Sequence, residues 1–549
     1  MIVVNNKIEN IYPLTPLQEG MLFHNLLEKN NTEYVLQMQY VFKYVLDSDL
    51  LSEALDLLSQ RFTSLRTLFI YEKVKTPSQV IMRERKPEFI EYDWSNMDTK
   101  EFEAAYTGLV RDDVSRGFDL SKDTLLRVTH VINGDCSRIV FTMHHIIVDG
   151  WCLGTIFSKL LDYYSELAEG TSFDILMDEV INERETNPDY GDYIKWLKKQ
   201  DTRKAFKYWE KLLDGYDSEC EIKPMQKAEQ SFVRTHEKYV TASKETTTKL
   251  MELAKGSNCT VNSVTEAAIG ILLQRMSRNN DVVFGKVVSG RNVDINGIES
   301  MVGLFINTIP IRVNSGAEVT VRELVESLSK QGVESDIYNY CSLADIQKLT
   351  QQGSDLIKTI YVFENYSSGA SEPEEAQTYT IVDAREETNY PISFSGFAMN
   401  NEIGFKVMYD TGKFTDNDID LILDKIVNIL DEMAANPDQK VCELETVPEK
   451  EKKLILNDFN ATERAYQKDN TIVELLEDQV SKTPGNDAVV FGDKKLSYAE
   501  LNERANVLGN KLRELGVKPD DFVAIIADRS IEMIAGIYGI IKSGEHMFR

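Results

Sequence analysis

The stretch from residue 126 to residue 170 narrows the fold more than any other part of this chain. Two β-type runs, Leu126-Arg127-Val128-Thr129-His130-Val131-Ile132 and Arg138-Ile139-Val140-Phe141-Thr142-Met143, flank Asn133-Gly134, a pair that tolerates the positive backbone angles of a tight hairpin. The second run passes into His144-His145-Ile146-Ile147-Val148-Asp149-Gly150. Beyond it Ile156, Phe157, Leu160, Leu161, Tyr164 and Leu167 recur at helical spacing, and Gly170 is placed to end the helix. Two adjacent histidines, out of six in the chain, therefore sit on a strand-to-helix turn. Imidazole has an unperturbed pKa near neutrality, so a ring held there can exchange a proton under cellular conditions.

Composition limits the partners. At 549 residues the chain has room for about three or four folding units, and 42% hydrophobic with 27% charged residues is ordinary for globular protein. A net charge of -28 opposes non-specific attraction to nucleic acid or to an anionic membrane. There is no apolar run of about 18 residues, and Met1-Ile2-Val3-Val4 gives way at once to Asn5-Asn6-Lys7, unlike a secretory leader. The expectation is a soluble, cytoplasmic, monomeric protein that binds neither nucleic acid nor membrane. Cys136, Cys152, Cys220, Cys259, Cys341 and Cys442 are far apart and form no CxxC pair, which favours reduced thiols. Cys152 reads as a small packing residue rather than a nucleophile. The glycosylation-like triplets at Asn30, Asn258 and Asn460 are inert without export.

Helical and strand-like runs mix throughout residues 1–175, with a stripe of Leu50, Leu51, Ala54, Leu55 and Leu58 leading into Arg61 and a strand-like run to Phe69, an α+β pattern. The mixture resumes across residues 203–440, with a helix near 263–276 and strands at 281–288 and 305–313. Two lobes are expected, 1–175 and 176–446, then a linker at 447–470. The acidic, Ser- and Gly-containing stretch 366–377 reads as a mobile loop. Residues 471–549 read as the opening of a further α/β domain, with a helix at 472–480, strands at 488–491 and 496–498, an amphipathic helix at 499–515 and a buried-strand run at 523–526. No short-period repeat indicates a solenoid.

With these residues in view the chain resembles, over residues 8–445, the condensation domain of nonribosomal peptide synthetases. His144 to Gly150 matches that family's HHxxxDG signature, and four more motifs follow the family's order. Tyr12-Pro13-Leu14-Thr15-Pro16-Leu17-Gln18-Glu19-Gly20-Met21-Leu22-Phe23-His24 is similar to its opening motif, and Arg61 to Phe69 to its Arg-His-x-x-Leu-Arg-Thr element, with Phe62 where histidine is usual. Tyr190-Gly191-Asp192-Tyr193-Ile194-Lys195-Trp196 and Val302-Gly303-Leu304-Phe305-Ile306-Asn307-Thr308 with Arg312 resemble two others, whereas Tyr340-Cys341-Ser342-Leu343 and Thr388-Asn389-Tyr390-Pro391 match later elements weakly. Residues 471–549, with Leu496-Ser497-Tyr498-Ala499-Glu500-Leu501, resemble the start of an adenylation domain and stop before any Gly-rich phosphate loop. Amino-acid activation is therefore expected to be absent.

The resemblance implies two chloramphenicol-acetyltransferase-like lobes in a V-shaped pseudo-dimer, with a tunnel between them and a carrier protein at each end. Substrates would arrive as thioesters on the carriers' phosphopantetheine arms, with no cofactor bound to this chain. An amine on the downstream acceptor carrier would attack the aminoacyl or peptidyl thioester on an upstream donor carrier and form a peptide bond. A thioester is already activated, so the site has chiefly to align two tethered reactants and manage the proton leaving nitrogen. His145 is the expected catalytic residue, as general base or as a group that orients the amine and stabilises the tetrahedral intermediate. His144 is expected to pack or hydrogen-bond behind it, and by the same resemblance Asp149 forms a structural ion pair with an arginine, Arg61 being favoured over Arg66. Gly150 would let the chain turn and present an amide toward the oxyanion. Trp151, Ser289, Gly290, Arg291 and Asn307 are the expected tunnel residues.

The opening motif and Trp151 resemble condensation domains that accept a donor with a D-configured terminus, and the first 25 or so residues would dock to a separate upstream synthetase. An epimerisation domain shares the heptapeptide, but Trp151-Cys152-Leu153-Gly154 argues against it, and a non-catalytic recruiting platform would usually lack the intact His145. No metal is expected, because His144, His145 and Asp149 offer no third histidine or nearby cysteine and adjacent strand residues face opposite ways. Asn292-x-Asp294-x-Asn296-Gly297 imitates a calcium loop, yet Gly303 stands where a bidentate Glu is needed. Tyr190, Trp196, Tyr208 and Trp209 read as helix-packing aromatics.

Overall fold

The computed structural model describes residues 7–27, 32, 34–225, 235–364, 379–385, 388–399, 401–466, 468–518, 520–544 and 546–548. The loop expected at 366–377, the triplet at Asn30 and the first six residues of the expected docking segment lie outside the described residues. The chain divides into two compact units, Met1–Glu451 and Lys452–Arg549.

The first unit contains the hairpin read from the sequence. Leu126–Asn133 pairs antiparallel with Cys136–His144, from Leu126 opposite Met143 to Asn133 opposite Cys136, and Gly134 supplies φ +59° at the turn. These strands lie inside a five-stranded sheet whose order is Tyr379–Arg385, Val35–Phe42, Cys136–His144, Leu126–Asn133, Glu88–Asp93. Both faces of these central strands are covered, since Val128, Val131, Ile139, Phe141 and Met143 are buried and so are Arg127, Thr129, His130 and Thr142 between them. Helix Ser48–Arg61, whose first turn is capped by the Asp47 carboxylate accepting from the Asp49 and Leu50 amides, packs against helix Gly150–Ala168 beside this sheet.

One edge strand, Tyr379–Arg385, comes from the distant second half of the chain and pairs antiparallel with Val35–Phe42. Gln39 Nε2 donates to Asp383 Oδ2 across that pairing, at 2.9 Å. The second half otherwise forms a mixed six-stranded sheet in the order Asn307–Asn314, Asp281–Val288, Ile360–Glu364, Ile392–Met399, Glu402–Asp410, Thr235–Thr241. Helix Val261–Ser277 is buried along most of its length in the core of this second sheet. It approaches closely because Gly270 faces Val313, whose methyl groups would lie 2.7 and 2.8 Å from an added Cβ.

Packing does not divide the chain at residue 175. Leu176 and Val180 of helix Phe173–Thr186, and Tyr190, Tyr193 and Ile194 of helix Tyr190–Leu197, belong to the first core. Ile298, Met301, Val302, Leu304 and Phe305 join them from the second half. The strand expected from residue 305 begins instead at Asn307, because the residues before it are drawn into that core. The segment read as a linker carries the helix Glu449–Lys453 and the π-type turn Leu454–Asp458.

In the second unit, helices Ile472–Lys482, Tyr498–Glu514 and Ile531–Lys542 accompany the hairpin Asp487–Phe491 with Lys494–Ser497. Phe522–Ala524 pairs in parallel with His546–Phe548. The expected strand run at 523–526 thus ends at Ala524. A small core of Leu476, Leu501 and Ala535 holds the helices together.

Candidate functional site

The two histidines occupy the last residue of the central strand and the first residue of a 3-10 turn, His145–Ile147. The His144 amide donates to the Leu125 carbonyl at 3.0 Å, and the His145 amide to the Tyr34 carbonyl at 2.7 Å. Gln18, in helix Pro16–Leu27 of the opening motif, props the turn by donating from Nε2 to the Ile146 carbonyl at 3.0 Å. Its Oε1 accepts from the Thr15 amide at 2.9 Å and from Gln79 Nε2 at 2.8 Å. Gln18 is the supporting residue that the sequence reading quoted inside a motif but did not single out. A glutamine followed at distance by a second buried glutamine gives no signal until both are seen on the same turn.

The rings differ in environment. His145 is 4% exposed, as the first residue of the 3-10 turn. His144 is fully enclosed, with Nδ1 accepting from the Ile146 amide at 3.1 Å, which places the proton of the neutral ring on Nε2. Burial, reinforced by the neighbouring His145, pushes its pKa down to about 3. His144 is thus a neutral packing group.

Asp149 is the residue before helix Gly150–Ala168, where an aspartate ordinarily caps the first amides, yet it makes no capping bond. Its carboxylate, wholly buried, is taken elsewhere. Oδ1 accepts from Arg291 Nη2 at 3.3 Å and lies 3.1 Å from Cys152 Sγ, and Oδ2 accepts from the Phe305 amide at 2.9 Å. Arg291 in turn donates from Nη1 to the carbonyls of Ile298 and Met301, at 2.6 and 3.0 Å, and its Cζ stands 4.0 Å from the centroid of the Phe305 ring. This pair corrects the expected partnership with Arg61. Arg61 ends its helix facing Phe173–Thr186 and pairs with Glu183 at 2.8 Å. Arg66 pairs with Glu9 at 2.7 Å and with the carbonyls of Ser59, Met82 and Arg83.

Arg291 is also corrected as a tunnel residue, since its guanidinium is spent on the ion pair and is 2% exposed. Gly290 before it holds φ +64°, and an added Cβ would fall on the Phe305 carbonyl oxygen, so glycine is required there. Asn307 donates from Nδ2 to the Asn339 and Cys341 carbonyls, both at 2.6 Å, as a strut between segments. Ser289 Oγ accepts from the Arg291 amide at 3.4 Å. Trp151 is 44% exposed. Gly150 opens its helix without positive φ. It is therefore no special turn residue, although first-turn amides lack intrahelical acceptors and suit a developing negative charge.

Cys152 is buried 3.2 Å from the Gly303 carbonyl, and burial beside Asp149 pushes its thiol up to about 12, so it packs as a neutral thiol. Tyr190 donates to the Leu304 carbonyl at 2.6 Å and Tyr193 packs on Phe305 at 4.8 Å between centroids. Arg312 pairs with Asp281 at 2.6 Å. The segment that imitates a calcium loop leads into a 3-10 turn, Ile298–Ser300, with Gly297 at φ +74°. Among the described residues no group of three or more His, Cys, Asp or Glu side chains is placed to hold a metal ion, and no helix is long and apolar enough to cross a membrane.

Residues 8–456 match the Condensation domain family model, and residues 476–545 match that of AMP-binding enzymes. Bacitracin synthase 3 of Bacillus licheniformis is 36% identical over 543 residues, 98% of this chain and 8% of that protein. Tyrocidine synthase 3 of Brevibacillus parabrevis is 36% identical over 544 residues, again 98% of this chain and 8% of the relative. The chain thus spans less than a tenth of either. A four-domain nonribosomal peptide synthetase solved with AMP and glycine superposes with a TM-score of 0.78 at 19% identity, covering 100% of this chain and 42% of that one. The condensation domain of the Monacolin K polyketide synthase superposes with 0.62 at 17% identity, covering 79% of this chain and 100% of that one. These two likenesses show the fold.

Two predictions follow from the buried clasp and the buried ring. Arg291→Met strands the Asp149 carboxylate and lowers unfolding stability by about 3–5 kcal/mol, whereas Arg61→Met removes a partly exposed pair worth at most about 1 kcal/mol. Urea unfolding of the two variants checks the order. Because the folded pKa of His144 lies far below its unfolded value, the unfolded chain takes up the proton first. The ring's contribution is complete above about pH 6.5 and declines by about 1.4 kcal/mol per unit as the pH falls toward 3. Urea unfolding of wild type and His144→Gln at pH 7.5 and 5.5 should give a steeper loss in the wild type, and parallel curves would refute it.

Proposed function

We propose, from the premise that this chain belongs to the condensation-domain family, that it joins an amine on one carrier to the acyl group of a thioester on another, forming a peptide bond. The carrying observation is the pinned turn at His145. Its backbone is held by Tyr34 and, one residue on, by Gln18, while the carboxylate of Asp149 is committed to Arg291, Cys152 and the Phe305 amide. Asp149 is therefore a strut, and the proton chemistry rests on the imidazole. A ring only 4% exposed favours substrates delivered on slender tethers, and its enclosure protects a thioester from water.

In this reading the two halves of residues 8–446 form lobes around a tunnel, with phosphopantetheine arms entering from opposite ends. His145 accepts the proton from the attacking nitrogen as the tetrahedral intermediate forms. The first-turn amides of helix Gly150–Ala168 face the developing oxyanion. The thiol of the donor arm then leaves and the chain passes to the acceptor. The donor ends in a D-configured residue. Residues 471–549 form the N-terminal part of an adenylation subdomain.

His145→Ala should lower the rate of amide formation between chemically loaded donor and acceptor carriers by about 10²- to 10⁴-fold. Equal product from variant and wild type would take His145 out of the mechanism. Paired D- and L-donors test the second claim in the wild-type chain, with product expected from the D-donor and at least about tenfold less from the L-donor. Loss of α-deuterium without amide formation would identify an epimerisation domain instead, and inertness toward every donor a recruiting platform.

A further inference from the structure

Phe118 stands between the two best-defined polar features of the first lobe, the Arg127 ion pair and His144. It directly follows Gly117, which ends helix Thr99–Arg116 with φ +59°. Arg127, on the strand Leu126–Asn133, is buried and uses all three guanidinium nitrogens on that helix end. Nε donates to Asp113 Oδ1 at 2.8 Å, Nη1 to the Gly117 carbonyl at 2.7 Å and Nη2 to the Asp113 carbonyl at 2.7 Å. Asp113 Oδ2 also accepts from Thr142 Oγ1 and, at 3.3 Å, from Gln37 Nε2. A guanidinium so tied is a fixed plane, and its Cζ lies 4.1 Å from the centroid of the Phe118 ring, within cation–π range.

The same ring meets His144 edge to face, with centroids 6.1 Å apart and planes at 82°. A second aromatic contact comes from Tyr34, 6.5 Å from the imidazole. Tyr34 holds φ +66°, a conformation that tyrosine rarely adopts, and from it the Tyr34 carbonyl receives the His145 amide. His144 is therefore bounded by Phe118, Tyr34 and the Ile146 amide.

We propose that Phe118, anchored by Arg127, is a positioning residue that clamps the His144 ring in one orientation and one tautomer and so fixes the turn presenting His145. Freed from Phe118, the imidazole can rotate and release the Ile146 amide, and the 3-10 turn loses its internal tie. The titratable groups around His144 are His145 in sequence, Tyr34 on one flank and Arg127 with Asp113 behind Phe118. The clamp rests on the reading of His145 as the reacting imidazole only for its kinetic consequence.

The test uses the full chain labelled with ¹⁵N-histidine, the His144 signals being assigned by their loss in His144→Gln. Wild type should show an Nε2–H tautomer unchanged between pH 8 and 5. In Phe118→Leu the ring should average between tautomers or titrate toward about pH 6.5, and kcat for coupling should fall about 10- to 100-fold with a much smaller change in KM. Phe118→Tyr, which keeps the ring, should restore both, and Arg127→Lys, which keeps the charge without the fork, should reproduce the loss in part. An unchanged His144 spectrum in Phe118→Leu overturns the clamp whatever the coupling assay gives, and so does lost kcat beside an undisturbed ring. If His145→Ala leaves coupling intact, the reading of His145 fails while the spectra still report on the clamp.

Discussion

The buried contact between Asp149 and Arg291 is the constraint from which the arrangement of the site follows. Both side chains are withdrawn from water, and an unpaired charge in that position would be strongly unfavourable, so neither can leave the other. The carboxylate gives up the helix-capping role open to it and accepts instead from Arg291 and the Phe305 amide. In doing so it ties the start of helix Gly150–Ala168 to residues 291–305 of the second half. Gly290, Gly303 and Tyr190 complete the fit, because a side chain at either glycine would collide with Phe305 or with the Tyr190 ring.

With Asp149 fixed, the two histidines differ in what holds them. Burial makes His144 a neutral hydrogen-bond acceptor. His145 keeps its backbone pinned from two sides, by Tyr34 and by Gln18 through Ile146. The opening motif thereby acquires a physical purpose, since its glutamine supports a turn 128 residues away.

Several parts of this structure were legible in the chain because they depend on local rules. Asn133-Gly134 specified a hairpin, the apolar spacing after Gly150 specified a helix, and the order of five motifs specified a family. Other parts were not, because their partners are far apart in sequence. The family resemblance implies an arginine partner for Asp149 without fixing which one, and Arg61 is favoured over Arg66. The true partner lies 142 residues on, and nothing local to Arg291 marks it. Tyr379–Arg385, which no sequence pattern singles out, pairs with Val35–Phe42 of the first half. Asn307 is expected to line a tunnel, yet its side chain braces two carbonyls.

The sequence by itself determined the local elements, the family and the identity of the histidine pair, because turn chemistry and apolar periodicity act over a few residues. Tertiary structure alone decided which arginine holds Asp149, which aromatic rings hold His144 and where the first core ends. Those outcomes depend on desolvation, and burial of a charge or a ring is defined only when distant segments have closed around it.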